Sequence, residues 1–217
     1  MTGTELRTYR RDEAICFRKT AEAFGGLSNM APGFPIFILD QRVRTSEALY
    51  QACRFPHMPE IQSLILNESS PMTAKMRSKP FREESRPDWD QVRVPIMKWC
   101  LRLKLIYNWA SFSDLLLSTD RNPIVEDSRK DAFWGAKENE DSAILTGSNV
   151  LGRLLMELRE ILRSEPERLK VVQPVPISNF LLLGQSLPSI TLNATEATVW
   201  EYGKRRMSNR TAQGVLI

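Results

Sequence analysis

The chain has 217 residues, 42% of them hydrophobic, with 30 Lys and Arg against 26 Asp and Glu for a net charge of +4. That is enough apolar material for a sizeable core, and the lack of an apolar run of about 18 residues excludes a membrane-spanning helix. Three widely spaced cysteines and the lone His57 offer no metal-ligand spacing, and the polar opening Met1 to Arg11 lacks the apolar middle of a secretory signal.

The expectation is therefore a cytoplasmic protein with reduced thiols. Its mild basicity suits a polyanionic partner or ordinary surface charge equally well. Basic residues gather before Lys104 and in the tail Lys204-Arg205-Arg206.

In chain order, residues 13–19 read as a short strand. Phe24-Gly-Gly-Leu-Ser-Asn-Met30 follows as a glycine-bearing loop, either a plain turn or a place where backbone N–H groups meet an anion. β-Branched and aromatic residues at 35–39 and 42–45, around Asp40-Gln41, predict a hairpin. It leads into Thr45-Ser-Glu-Ala-Leu-Tyr-Gln-Ala-Cys-Arg54, which reads as a capped helix. At about 100° per residue, Glu47, Tyr50, Gln51 and Arg54 share one arc, with Leu49, Ala52 and Cys53 opposite. That polar arc is either a solvated face or a site.

A helix is expected near 59–66. Another starts at Ser70-Pro71 and runs through Met76. Pro80 disfavours helical geometry at the residue before it, which predicts Lys79 in a loop. Lys75, Arg77 and Lys79 make a basic stretch, suited to phosphate or to water. Asp88-Trp-Asp-Gln91 resembles a capping box opening a long helix to about Trp109, with Val92, Ile96, Trp99, Leu103 and Ile106 as its apolar stripe and Pro95 in its second turn. A short helix is expected at 112–118.

Residues 119–149 read mostly as loop, with Ile124-Val-Glu-Asp127 and Asp131-Ala-Phe-Trp-Gly135 standing out. Acidic and aromatic side chains in a long loop suit a site, or the aromatics plug the loop onto the core. Asn149 is placed as the cap of an amphipathic helix from Val150 to about Ser164, stopped by Pro166. From Lys170 the chain turns Pro-rich and extended. Phe180-Leu-Leu-Leu-Gly184 is apolar enough to dock on the body, and the last twenty or so residues are polar. The division expected is a catalytic domain over 1–169 and a partly docked extension over 170–217.

Several of these pieces occur together in order: Gly25-Gly-Leu-Ser-Asn29, Thr45-Ser-Glu47 with Tyr50-Gln51, Ser70-Pro-Met72, Arg77-Ser-Lys-Pro80, Trp89, Met97, Leu101, Lys104, Val125-Glu126, Asp131 with Trp134-Gly135, and Asn149-Val-Leu-Gly-Arg-Leu-Leu-Met-Glu-Leu-Arg159. The set resembles the NADAR superfamily from about residue 13 to 163. The resemblance implies a mainly helical α+β fold and cleavage of N-glycosidic bonds. One branch acts on early riboflavin-pathway intermediates. Another removes ADP-ribose from guanine, including guanine in DNA, and occurs as antitoxin beside a DarT-type ADP-ribosyltransferase. The opening Leu6-Arg-Thr-Tyr-Arg-Arg11 and the extension after Lys170 look more like the second branch. Binding of ADP-ribose without catalysis is the alternative of a different class.

Breaking a ribose–nitrogen bond builds positive charge at C1′ and requires a protonated leaving base. Glu47 is the first choice to stabilise that charge or activate water, followed by Asp131 and then Glu126. The resemblance also implies a lysine that captures the ring-opened ribose as an imine, with Lys79 preferred and Lys104 second. Tyr50 and Gln51 are expected to orient the sugar. Arg54, Arg77 and the backbone from Gly26 through Ser28 to Asn29 would hold it or its diphosphate, and Trp134 would stack on a base. Glu126, Gly135 and Asn149 complete the expected substrate contacts. No cofactor is implied, ADP-ribose being a product or ligand. The implied partner is ADP-ribosylated nucleic acid, with a DarT-type toxin as a further possibility and no membrane. Lys79, Asp131 and Trp134 must then lie near Glu47.

Overall fold

The structure, a computed structural model, describes residues 5–193. In chain order it comprises β1 (Arg7–Arg10), β2 (Ile15–Phe17), β3 (Ile36–Ile38), β4 (Gln41–Val43), α1 (Ser46–Ala52), α2 (Pro59–Leu66), α3 (Pro71–Ser78), α4 (Trp89–Tyr107), α5 (Trp109–Leu117), β5 (Ile124–Glu126), β6 (Lys137–Glu138), β7 (Ile144–Gly147), α6 (Val150–Ser164), β8 (Val171–Val172), β9 (Leu181–Leu182), β10 (Gln185–Ser186) and β11 (Ile190–Thr191). The fold is α+β and mainly helical, as the sequence leads one to expect.

Helix α4 is the spine. Ile96, Trp99, Cys100, Leu103 and Ile106 are buried in one core with Leu49 and Ala52 of α1, Ile65 of α2, Phe112 of α5 and Leu151, Leu155 and Leu158 of α6. Pro95 lies inside α4 without ending it. At the other end Asn108 leaves helical geometry (φ −134°, ψ 45°) and separates α4 from α5. Its amide donates to the carbonyls of Pro35 and Lys104. The second helix therefore starts at Trp109, three residues before the expected 112.

Small strands frame the helices. The hairpin β3–β4 pairs Ile36 with Val43. Strands β2 and β5 pair in parallel, with Phe17 opposite Glu126, so a segment 109 positions away sets the position of that carboxyl. β7 lies between β1 and β6 in an antiparallel sheet. Three pieces of regular structure thus occupy the stretch expected to be mostly loop.

Two expected caps differ. Asp88 makes no side-chain bond to α4. Its carboxylate instead accepts from Arg86 Nε at 2.5 Å. Asn149 precedes α6 in the left-handed region (φ 46°) and also makes no cap. Its side chain takes the Glu126 N–H at 3.1 Å and donates to the Ile124 carbonyl at 2.8 Å, clamping β5. Gly152 permits this approach, since a Cβ there would fall 2.1 Å from the Ile124 oxygen.

Beyond Lys170, Val172, Phe180, Leu182, Leu187 and Leu192 join the main core. The Phe180 ring meets Trp99 edge-on at 4.9 Å. Arg86, itself buried, donates to the carbonyls of Ser178 and Asn179. The polar end of the chain, with Lys204-Arg205-Arg206, lies outside the described residues.

Candidate active site

Thr45 caps α1 by accepting from the Ala48 N–H, so the helix starts where expected. The polar arc it displays is not solvated: Glu47 is 3% exposed, Tyr50 4% and Gln51 5%. Burying a carboxylate is costly unless donors surround it, and here they do. Asn29 Nδ2 donates to one Glu47 oxygen at 2.5 Å, and Gln51 Nε2 donates to the other at 2.9 Å. Gln51 is held in turn by Ser78 Oγ at 2.9 Å. Lys75 Nζ stands 4.0 Å from Glu47 and keeps much of its side chain in solvent.

The glycine loop delivers Asn29. Its glycines serve packing: a Cβ on Gly25 would strike the Thr20 oxygen at 2.4 Å, and one on Gly26 would meet Leu115 at 2.6 Å. The Ser28 hydroxyl accepts from the Met30 N–H. Beneath the loop Lys104 is fully buried, donating to the carbonyls of Gly26 at 2.6 Å and Ser28 at 2.9 Å. Its ammonium also faces the rings of Phe34 and Phe112. Burial pushes the Lys104 pKa down to about 7.

A second wall comes from the 126–135 segment. Burial, and after it the charges of Glu47 and Asp131, push the Glu126 carboxyl up to about 7, while Lys75 opposes the shift. Asp131 accepts from the N–H groups of Phe133 and Trp134, both at 2.9 Å, and so fixes the aromatic turn. Gly135 is buried with its Cβ position 2.5 Å from the Glu126 carbonyl oxygen, which only glycine allows. Trp134 meets Tyr50 edge-on at 5.6 Å, and Trp89 meets Tyr50 from another side at 5.0 Å. Burial raises the Tyr50 pKa well above its usual value, so the phenol stays protonated.

Of the three groups expected beside Glu47, Trp134 arrives through Tyr50 and Asp131 through its field on Glu126. Lys79 does not. It is exposed, in helical geometry (φ −63°, ψ −42°), and continues α3 into a tighter turn over 79–84 rather than a loop. Its N–H bonds the Met76 carbonyl, and that bond outweighs the bias from Pro80. The lysine that reaches Glu47 is Lys75, one turn earlier. Arg77 also points elsewhere, donating to Glu68 at 2.6 Å. Asn149, fully buried on β5, has neither amide atom free for a ligand.

Sequence reasoning missed Lys75 as a member of the cluster, together with Ser78 and Arg93. A signal was present for the first two: Lys75 and Ser78 are three apart on one helix and can both face α1. Arg93, 3.9 Å over the Phe133 ring, is one turn from Trp89 on α4.

The NADAR domain family matches residues 16–163. Among curated relatives, N-glycosidase YbiA of Escherichia coli strain K12 is 36% identical over 159 residues, covering 71% of this chain and 92% of that protein. N-glycosidase Npun_R5314 of Nostoc punctiforme is 34% identical, covering 69% and 93%. Riboflavin biosynthesis protein PYRR of Zea mays is 35% identical over 72% of this chain but only 26% of its own length. The NMR structure of E. coli YbiA superposes with a TM-score of 0.60 at 33% identity, covering 73% of this chain and 90% of that one. This chain belongs to the NADAR family.

Proposed function

We infer that the chain is an N-glycosidase and that its substrate is ADP-ribose attached to guanine, including guanine in DNA. The observation that carries the chemistry is the pair of carboxyls at one site. Glu126 is raised to about 7 and so holds a proton near neutral pH. Glu47 lies in a ring of amide donors, both oxygens engaged. Such divergence supplies an acid and a charged partner from two residues of the same type.

Glu126 donates its proton to the base nitrogen as the C1′–N bond breaks, and the bond's electron pair leaves with the base. Glu47 stabilises the positive charge that develops at C1′ and accepts a proton from the water that adds there. Tyr50, kept neutral, presents a hydrogen-bonding group to the ribose, and Gln51, engaged by Ser78, holds Glu47 in place. Trp134 offers an edge and face to a base. If the ribose opens, Lys75 is the amine for an imine at C1′, because it is the lysine 4.0 Å from Glu47.

The choice of ADP-ribosyl guanine, and of an antitoxin role beside a DarT-type toxin, rests on the segments outside the matched region: β1 and the extension from Lys170, which packs into the core. A second reading is favoured by the relatives named for riboflavin biosynthesis: a ribosylated pyrimidine intermediate of that pathway. A panel of both substrates with product analysis separates them. Glu47→Gln, folding unchanged, is expected to lower kcat on the order of a thousandfold. Borohydride during turnover should trap a ribosyl adduct that Lys75→Ala abolishes and Lys79→Ala retains. Full activity in Glu47→Gln, or an adduct lost only in Lys79→Ala, would overturn these assignments.

A further inference from the structure

Behind the α1 face runs a line of three buried side chains, Glu47, Gln51 and Ser78. Gln51 Nε2 donates to Glu47 Oε1 at 2.9 Å. The Ser78 hydroxyl stands within reach of two acceptors, Gln51 Oε1 at 2.9 Å and the Lys75 carbonyl at 2.8 Å. A hydroxyl carries a single proton, so it serves one of them at a time. The second acceptor is there because α3 tightens at its end. An unbroken α-helix would give the Lys79 N–H to the Lys75 carbonyl, and here that N–H bonds Met76. The other Glu47 oxygen is held differently. Asn29 Nδ2 donates to it at 2.5 Å, and the same nitrogen faces the Met97 sulfur at 3.8 Å. A thioether accepts and does not donate, so the Asn29 amide keeps one sense.

Two hydrogen-bond patterns fit these positions. In the first, the Ser78 hydroxyl donates to the Gln51 carbonyl oxygen, and the Gln51 N–H donates to a Glu47 carboxylate. In the second, the hydroxyl swings to the Lys75 carbonyl and the Gln51 amide flips. Its N–H then donates to Ser78 Oγ, and its carbonyl oxygen accepts from a proton on Glu47 Oε1. An amide has nearly the same outline in both senses, so the flip exchanges donor for acceptor with little change of shape. The first pattern suits a charged Glu47 and the second a neutral one. A fixed ring of donors would set hydrogen against hydrogen once Glu47 gained a proton, and the flip removes that conflict.

We propose that Ser78 and Gln51 are positioning residues of a hydrogen-bond switch that lets Glu47 alternate between carboxylate and carboxylic acid within each catalytic cycle. As water adds to C1′, its proton passes to Glu47 Oε1, the amide flips and the serine hydroxyl swings to Lys75. Glu47 then releases that proton to solvent, from which Glu126 recovers the one it gave to the leaving base. This deepens the N-glycosidase reading and rests on it for the step that protonates Glu47. The other charged or titratable groups that act on Glu47 or feel its charge are Lys75 of α3, Tyr50 and Arg54 of α1, Cys100 of α4 and Glu126 of β5.

Kinetics of the full chain on an ADP-ribosyl-guanine oligonucleotide and on a ribosylated pyrimidine test it, with Ser78→Ala and Gln51→Met made both in the wild type and in Glu47→Gln. In the wild type each should lower kcat about tenfold with KM changed less than about twofold, and the two together should be no slower than Gln51→Met alone. In Glu47→Gln no carboxyl remains to be protonated, and each should cost less than about twofold. An equal loss in the two backgrounds makes both residues merely structural and overturns the switch. Should Ser78→Ala fail to fold, Gln51→Met answers the same comparison. The isotope-labelled full chain gives a readout that needs no catalysis. The Gln51 side-chain N–H resonances, identified by their loss in Gln51→Met, should move as the pH is lowered. In Glu47→Gln the movement should shrink to what Glu126 contributes, that carboxyl titrating at about 7. Movement undiminished in Glu47→Gln overturns the switch. Resonances that follow Glu47 in a protein that cleaves no N-glycoside would keep the switch and defeat the glycosidase reading. Cleavage with resonances indifferent to Glu47 would do the reverse.

Discussion

Glu47 and Glu126 differ only in their surroundings, and the surroundings assign their roles. Glu47 is buried among amide donors on a helix. Glu126 is half-buried at the end of a strand, in the field of the Glu47 and Asp131 charges. The Glu126 pKa rises from an ordinary 4.5 to about 7, with burial as the first cause. Since the folded form holds this proton more tightly than the unfolded form, its contribution to stability is intact below pH 4.5. It is then lost progressively as pH rises towards 7. Keeping the charged form buried costs up to about 3 kcal/mol. Glu126→Gln should therefore match the wild type in urea denaturation at pH 4 and exceed it by up to about 3 kcal/mol at pH 8. The same substitution should remove the decline of kcat above pH 7 by lowering the whole profile. Parallel stability curves at the two pH values would count against a protonated Glu126. None of this was legible in the residue itself. Its environment depends on β2 pairing with β5 and on the Asn149 clamp, contacts between segments far apart in sequence.

At the scale of elements, the face of α1 was legible because a 3.6-residue period places Glu47, Tyr50, Gln51 and Arg54 on one arc whatever surrounds it. Whether that arc was wet or buried was not, because α3, the Asn29 loop and the aromatic turn cover it from elsewhere. Lys79 illustrates the opposite case. A local rule about the residue before proline displaced it from the helix, yet a single N–H bond to Met76 kept the turn going and left Lys75 as the inward lysine. Lys104 shows how an element carries a loop. Its ammonium holds two carbonyls of the segment that presents Asn29 to Glu47. Lys104→Met removes both donors, and an unmet buried acceptor costs about 1–3 kcal/mol. The variant should lose about 2 kcal/mol in denaturant and several-fold in kcat, while the borohydride adduct still forms on the protein. An adduct that vanished while stability held would make Lys104 the reacting amine instead of a support.

The molecule as a whole extends past the region it shares with its relatives, and the added chain is built into the same core. The apolar run at 180–184 made docking legible in sequence; its target was not, since Trp99 and the buried Arg86 belong to a helix and a turn some 80 to 95 positions earlier. Phe180 packs on Trp99, and Trp99 sits on the spine helix whose far end holds Lys104. The extension and the catalytic framework should then unfold together as one cooperative unit. Phe180→Ala removes a buried ring and leaves a cavity, at a cost of about 3 kcal/mol. Because Phe180 touches none of Glu47, Lys75 or Glu126, kcat at 25 °C should stay within about twofold while the urea midpoint falls for the whole chain. Tryptophan fluorescence and far-ultraviolet dichroism should report one coincident transition. Two separated transitions, with the first confined to fluorescence, would instead make the extension an appendage whose loss the catalytic framework survives.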